Sequence, residues 1–144
     1  ARLRAAADGL VALASELPLV FPVHPRTMNA VVESGDERRL RSAGVVLAPP
    51  LGYLDFVGLE ASARFVVTDS GGVQEETTAL GVRCFTLRDT TERPITVTRG
   101  TNTLIRDLAE IPALLDVEKR GEAIPLWDGA AGARTAEVLR RSLG

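Results

Sequence analysis

A short polar segment, DSGG at residues 69–72, is the part of the sequence best suited to chemistry. It follows the apolar run 65–68 and precedes a helical pattern. Gly71 and Gly72 lack a Cβ and allow a ligand to approach the backbone, and the free amides of a helix N-terminus favour an anion. Ser70 adds a hydroxyl donor. The pattern predicts a phosphate site, although an Asp or Ser at this place could instead serve only as a helix cap.

Two charged side chains are placed to complete such a site. Glu76 lies one helical turn beyond Gly72, where a carboxylate disfavours phosphate but can accept hydrogen bonds from two ribose hydroxyls. Arg93 lies in the polar loop 88–94 after the next predicted strand, and its guanidinium suits two phosphate oxygens. Pro94 restricts the backbone of Arg93. The alternative is a solvated loop whose charges pair with each other and contribute little.

Three further side chains border the predicted site. Phe56, in the preceding helix, could stack on a base, although most helix aromatics are core residues. His24 follows a predicted strand. It is either a structural residue or one that supports the residues in direct contact with the ligand. Because it is the only histidine, it has no partner for a metal site. Glu75 is expected to point to solvent.

An α/β scaffold is needed to bring these residues together. Short apolar runs predict buried strands at 19–23, 45–48, 65–68, 83–87 and 103–105. Helical spacing predicts helices ending at residue 17 and at 28–34, 53–63, 73–80, 111–118 and 133–143, with a possible turn at 38–42. This alternation predicts a Rossmann-like parallel sheet flanked by helices, in which ligands bind at the carboxyl ends of the strands.

The composition excludes several classes of protein. The chain has 144 residues, 45% of them apolar and 25% charged, which is typical of one globular domain. A net charge of −2 disfavours nucleic-acid binding, and no apolar run approaches the roughly 20 residues that span a bilayer. The single cysteine, Cys84, excludes an internal disulfide. Without a signal peptide, the expected location is the cytoplasm. The helical pattern is already running when the chain opens, which predicts an upstream segment.

Several motifs together resemble one known family. The string DSGGVQEETTALGVRCFTLRDTTERP, with FPVHP, PLGYLDFVGL, TERPITVTRGTN and WDG around it, is similar to the C-terminal domain of the non-hydrolysing UDP-N-acetylglucosamine 2-epimerases. The resemblance covers nearly the whole chain. It implies that residues 1–144 form a single UDP-binding domain, the C-terminal half of a GT-B-type two-domain fold.

The resemblance also implies roles for individual residues. The diphosphate would bind to Ser70, Gly71 and Gly72, the ribose to Glu76, a phosphate to Arg93 and the uracil to Phe56. His24 matches a histidine that in some members touches a second, activating UDP-sugar. Ile95 replaces a glutamate that follows TERP in many members.

The implied reaction interconverts UDP-N-acetylglucosamine and UDP-N-acetylmannosamine by elimination of UDP and its return to the opposite face. In the family the acid and base carboxylates come from the N-terminal half, so this chain should hold no catalytic residue and be inactive alone. The expected partners are UDP, a UDP-N-acetylhexosamine, the missing half and a second copy in a homodimer; we expect no cofactor and no metal. A glycosyltransferase donor domain, a stand-alone nucleotide-sugar module and a hydrolysing epimerase remain alternatives.

Overall fold

Strands and helices alternate along the chain in the computed structural model, which describes residues 2–143. The strands are β1 (Val20–Pro22), β2 (Val46–Ala48), β3 (Val66–Thr68), β4 (Cys84–Leu87) and β5 (Asn102–Ile105). The helices are α1 (Arg2–Ala14), α2 (Pro25–Glu33), α3 (Asp36–Ser42), α4 (Tyr53–Ser62), α5 (Gly71–Leu80), α6 (Pro94–Thr98), α7 (Ile111–Leu115) and α8 (Ala131–Leu143). The predicted α/β class is confirmed.

All strand pairs are parallel. Among residues 2–143 the ladders form two groups, β1 with β2 and β3–β4–β5 in that order. Val66 is opposite Cys84 and Thr68 is opposite Thr86, so β3 and β4 end side by side. The segments that follow these two strands therefore leave the sheet at the same edge.

Helices differ from the prediction at several places, and α1 ends at Ala14 rather than at residue 17 while α2 begins at Pro25 rather than at residue 28. Helix α3 replaces the turn predicted at 38–42, because acidic residues in its first turn and arginines in its last suit the helix dipole. Helix α6 is not predicted at all; Pro94 opens it at a position where proline is favoured. Helix α7 ends at Leu115 rather than at residue 118, and a 3₁₀ turn (Leu108–Glu110) precedes it.

Two apolar clusters form the core and share residues. The cluster around β1 and β2 contains Ala7, Val23, Val31, Leu40, Val45 and Leu47. The cluster around β4 and β5 contains Leu13, Phe85, Ile105, Leu108 and Ile111. Leu10 of α1 and Leu19 pack against both clusters. Because burying one large aliphatic side chain contributes about 1.5–3 kcal/mol, these shared contacts hold the two strand groups in one body.

A buried ion-pair network fixes α1 against α3. Asp36 has no exposed surface and accepts hydrogen bonds from Arg4 at 2.8 Å, Arg39 at 2.6 Å and Ser34 at 2.9 Å. These bonds, that of Arg39 foremost, hold the pKa of Asp36 below its ordinary value. The carboxylate is thus stabilised in its charged form between the two helices.

The final helix lies on the surface. Helix α8 has no buried residue, and its apolar side chains Leu139 and Leu143 are 54% and 85% exposed. Its start is fixed by Asp128, which accepts the N–H of Ala130 at 2.9 Å and pairs with Arg134. Neither α8 nor any other helix in residues 2–143 is long and apolar enough to cross a membrane.

A buried carboxyl group lies where α4 packs on α5. Glu60 is 2% exposed, and neither of its carboxylate oxygens has a hydrogen-bond partner among the described residues. Burial, and secondly the negative charge of Glu76, raise the pKa of Glu60 to about 7 from an ordinary value of 4.5. The folded chain therefore keeps a proton on Glu60 over a pH range in which the unfolded chain releases it.

This proton makes stability depend on pH. Stability falls as pH rises from about 4.5 to about 7, because only the unfolded state loses the proton there. We expect Glu60→Gln to raise the free energy of unfolding relative to wild type by up to about 3 kcal/mol at pH 8 and by little at pH 4.5. Urea denaturation at both pH values measures the difference. Glu16→Gln, at an exposed position, is the control. A gain from Glu60→Gln of equal size at both pH values would contradict the assignment.

Candidate functional site

The DSGG segment forms the N-terminus of α5. Ser70 is the N-cap residue with φ −89° and ψ 133°, but its side chain makes no capping hydrogen bond. Its own N–H donates to Oγ1 of Thr68 at 3.0 Å. No acidic residue lies in the first turn of α5. The amides of that turn therefore keep their partial positive charge, and the alternative that Ser70 acts as a side-chain cap is wrong.

The two glycines of this turn meet different surroundings. A Cβ on Gly71 would lie 2.5 Å from Oε1 of Glu92, so the loop 88–94 packs directly on this residue. A Cβ on Gly72 would meet only Oγ of Ser70, at 3.9 Å. A larger residue at position 71 would displace the end of the exposed Glu92 side chain, whereas the space beside Gly72 is open to a ligand.

The loop 88–94 forms the second wall, and its charges are paired. Arg88 contacts Glu92 at 2.8 Å, and Nε of Arg93 contacts Oε1 of Glu75 at 3.1 Å. The charges of the loop are therefore paired, but not as the alternative expected: Arg88 pairs with Glu92 rather than with Asp89, and Arg93 pairs with Glu75 rather than with Glu92. Glu75, which the sequence predicts to point to solvent, is partly exposed and also pairs with Arg93 of this loop.

The pairing places the Arg93 guanidinium beside the first turns of α5. Both side chains are partly exposed, 44% for Arg93 and 41% for Glu75. Exposed ion pairs of this kind contribute about 0–1 kcal/mol, so a bound anion can compete for the guanidinium at small cost. Arg93 thus lies beside Gly71, its Cγ 3.8 Å from where a Cβ of residue 71 would be, without being locked to its partner.

A shallow cavity of about 350 Å³ borders the next turns of α5. Its lining residues are Glu75, Glu76, Ala79 and Trp127. Glu76 is half-buried and lies one turn after Gly72, as the sequence predicts. The indole of Trp127 is 41% exposed and faces the same cavity. No feature of the local sequence predicts that Trp127 lies beside α5. Glu75 could have been predicted as a residue of this site, because it follows Gly71 by one helical turn.

The remaining predicted site residues lie at the starts of two other helices. Phe56 is half-buried in the first turn of α4, which begins soon after the carboxyl end of β2. His24 is the exposed N-cap of α2, and its Nδ1 accepts the N–H of Arg26 at 3.3 Å. The structure therefore gives His24 a local capping role. Contacts of Phe56 with a base and of His24 with a ligand stay predictions.

Sequence comparisons support a single family. Residues 1–140 match the sequence model of the family described as UDP-N-acetylglucosamine 2-epimerase. The UDP-N-acetylglucosamine 2-epimerase of Methanocaldococcus jannaschii is 40% identical over 126 residues, which are 84% of this chain and 34% of that protein. The Escherichia coli K12 enzyme is 38% identical over 138 residues, 88% of this chain and 36% of that protein.

Structural comparison agrees. The crystal structure of the M. jannaschii UDP-GlcNAc 2-epimerase in complex with UDP-GlcNAc and UDP superposes with a TM-score of 0.84 at 35% identity, covering 97% of this chain and 41% of that one. The chain thus spans between a third and about two-fifths of the length of these relatives. Since the family model matches nearly every residue and the fold coincides with that of a solved member, the chain belongs to the UDP-N-acetylglucosamine 2-epimerase family.

Proposed function

We propose that this chain is the UDP-binding part of an enzyme that interconverts UDP-N-acetylglucosamine and UDP-N-acetylmannosamine. One observation carries the proposal: an uncapped helix N-terminus with open space beside Gly72 has Arg93 next to Gly71 and Glu76 one helical turn further on. Two neighbouring phosphates need directed N–H donors and a guanidinium, and both are present here. The M. jannaschii relative was solved with UDP-GlcNAc and UDP, which supports a uridine nucleotide as the ligand.

Each group has a distinct role in this proposal. The diphosphate lies beside Gly72, where the amides of α5 and the Ser70 hydroxyl donate hydrogen bonds. The guanidinium of Arg93 breaks its ion pair with Glu75, or it contacts Glu75 and a phosphate oxygen at the same time. Glu76, about 6 Å further along the helix axis, accepts bonds from the ribose hydroxyls. Phe56 stacks on the uracil.

The chemical contribution of these residues is to stabilise UDP as a leaving group. When the bond between the sugar and UDP breaks, negative charge develops on the diphosphate, and preorganised donors lower the barrier to that step. The abstraction of a sugar proton needs a base within hydrogen-bond reach of it. We assign that base to the N-terminal half of the whole enzyme, which we propose has a GT-B-type fold of two domains. We further propose that this enzyme is located in the cytoplasm and forms a homodimer.

His24 has a separate place in the proposal. It follows the carboxyl end of β1 and is exposed, so a ligand bound against that edge can reach its imidazole. We assign it to contact with a second UDP-sugar that activates the enzyme, beyond its capping role in α2.

The open space at Gly72 gives a direct test of the diphosphate site. We expect Gly72→Ala to lower UDP affinity by about tenfold or more, because the added methyl enters the ligand's space while no protein atom obstructs it. Calorimetric titration of the 144-residue chain measures the affinity. The control is Gly58→Ala in α4, where an added Cβ has no neighbour within 4 Å, and it should leave UDP binding unchanged. Equal UDP affinities for the two variants would rule out a phosphate beside Gly72.

The role of Arg93 is tested by its charge. Arg93→Gln should weaken UDP binding by about 10- to 100-fold, the loss expected for one charged hydrogen-bonding partner, and leave uridine binding unchanged. Arg120→Gln removes the same charge from a surface residue paired only with Glu118, and it should change UDP affinity little. If both variants lost affinity equally, Arg93 would act only through the general electrostatic field.

The reaction itself is tested in the full-length protein. We expect it to convert UDP-N-acetylglucosamine to UDP-N-acetylmannosamine without an acceptor, detected by NMR of the sugar anomeric proton. The 144-residue chain should bind UDP without turnover. Release of free N-acetylmannosamine, or turnover by the 144-residue chain, would contradict the assignment.

A further inference from the structure

A chain of buried polar side chains lies beneath the proposed site. Its four members without exposed surface are Gln74, Thr86, Thr96 and Asn102. Oε1 of Gln74 accepts hydrogen bonds from Oγ1 of Thr91 at 2.6 Å and from Nδ2 of Asn102 at 3.1 Å. The side-chain nitrogen Nε2 of Gln74 donates to the carbonyl of Ser70 at 3.2 Å. One buried side chain of α5 therefore contacts both the DSGG turn and the loop that carries Arg93.

The backbone of Arg93 is held by the same network on both sides. Its N–H donates to Oγ1 of Thr91 at 3.0 Å, and its carbonyl accepts from Oγ1 of Thr96 at 2.8 Å. Nδ2 of Asn102, which also donates to Gln74, donates its second hydrogen bond to Oγ1 of Thr96 at an N–O distance of 3.1 Å. Gln74 and Asn102 thus reach Arg93 through one threonine hydroxyl each.

The directions in this network are fixed, because the Ser70 carbonyl can only accept and the side-chain nitrogen of Gln74 must therefore face it. The Asn102 side-chain nitrogen must then face Gln74 and Thr96, and Oδ1 of Asn102 accepts from Thr86 at 2.7 Å. Gln74 in turn must present its oxygen to Asn102 and Thr91. A flip of either amide would bring two donors or two acceptors together inside the core, which is costly without water. The network therefore permits a single arrangement.

We propose that Gln74, Asn102 and Thr91 are positioning residues that hold the DSGG turn and Arg93 in the geometry a diphosphate needs. This rests on the proposed UDP site. An apolar core of the same shape would leave the Ser70 carbonyl and both backbone groups of Arg93 without these partners. With them in place, the ligand does not have to order the loop when it binds, and the entropy cost of binding falls.

Thr91 offers the sharpest test because it is partly exposed and has a close isostere. Thr91→Val removes the hydroxyl that joins Gln74 to Arg93 and should weaken UDP binding by about tenfold. Thr91→Ser keeps the hydroxyl and should restore most of the affinity. Uridine, which has no phosphate, should bind all three proteins equally in NMR titrations. Calorimetry of the 144-residue chain gives the UDP affinities, and thermal unfolding confirms that each variant is folded.

A double-mutant cycle separates positioning from general stability. If Thr91 acts through Arg93, Thr91→Val should have no further effect on UDP affinity in the Arg93→Gln background. A full additional loss in that background, or an equal loss for uridine, would overturn the proposal. So would unchanged UDP affinity in Thr91→Val. An Arg93→Gln variant with wild-type UDP affinity would instead overturn the diphosphate site itself, and with it the positioning role.

Gln74→Met tests the network at its centre. It removes every polar contact of Gln74 while keeping the length of the side chain. We expect lower stability and weaker UDP binding with uridine binding retained in the folded protein. Equal loss of both ligands by the folded variant would show that Gln74 supports the fold alone.

Discussion

The parallel pairing of β3 with β4 is the constraint on which the site depends. Thr68 and Thr86 are direct neighbours near the ends of their strands, so the turn after β3 and the loop after β4 emerge together. A slip of one residue would exchange the faces of β4 and move Thr86 out of the polar core. The buried Phe85, in edge-to-face contact with Phe65 at 5.5 Å, opposes such a slip from the other face. The register that buries the aromatic pair also aligns the ligand-facing segments.

The charge of the site is mixed. Glu75, Glu76 and Glu92 surround the start of α5, while Arg88 and Arg93 are the arginines placed among them. An attractive net field therefore cannot be the main reason for binding an anion here. Affinity must come from the direction of the backbone amides and of one guanidinium, which is why the buried network beneath them matters. A site of this kind distinguishes a phosphate from other anions by geometry.

Much of the fold follows from local sequence, and parts of the site do not. The apolar runs identify all five strands to within one residue at either end, because β-branched and aromatic residues favour strands. The prediction that each strand is buried is wrong for β1 and β2, which begin on exposed valines, whereas β4 is mostly buried. The glycine pair and Glu76 also follow from spacing along one strand, turn and helix. The pairing of Arg93 with Glu75 does not follow from local spacing, because it depends on how the loop 88–94 crosses α5. Gln74 is harder still: a polar residue in a helix normally predicts a solvent-facing position, and its burial depends on hydrogen bonds to Thr91, Asn102 and the Ser70 carbonyl.

The contrast between the two glycines affects how homologous sequences should be compared. A larger residue at position 71 must displace the end of the Glu92 side chain, whereas at position 72 an added Cβ meets no close protein atom. In a lineage that abandoned nucleotide binding but kept the fold, residue 72 would be the freer of the two to change. The second glycine is therefore the position at which evolution would record loss of the ligand.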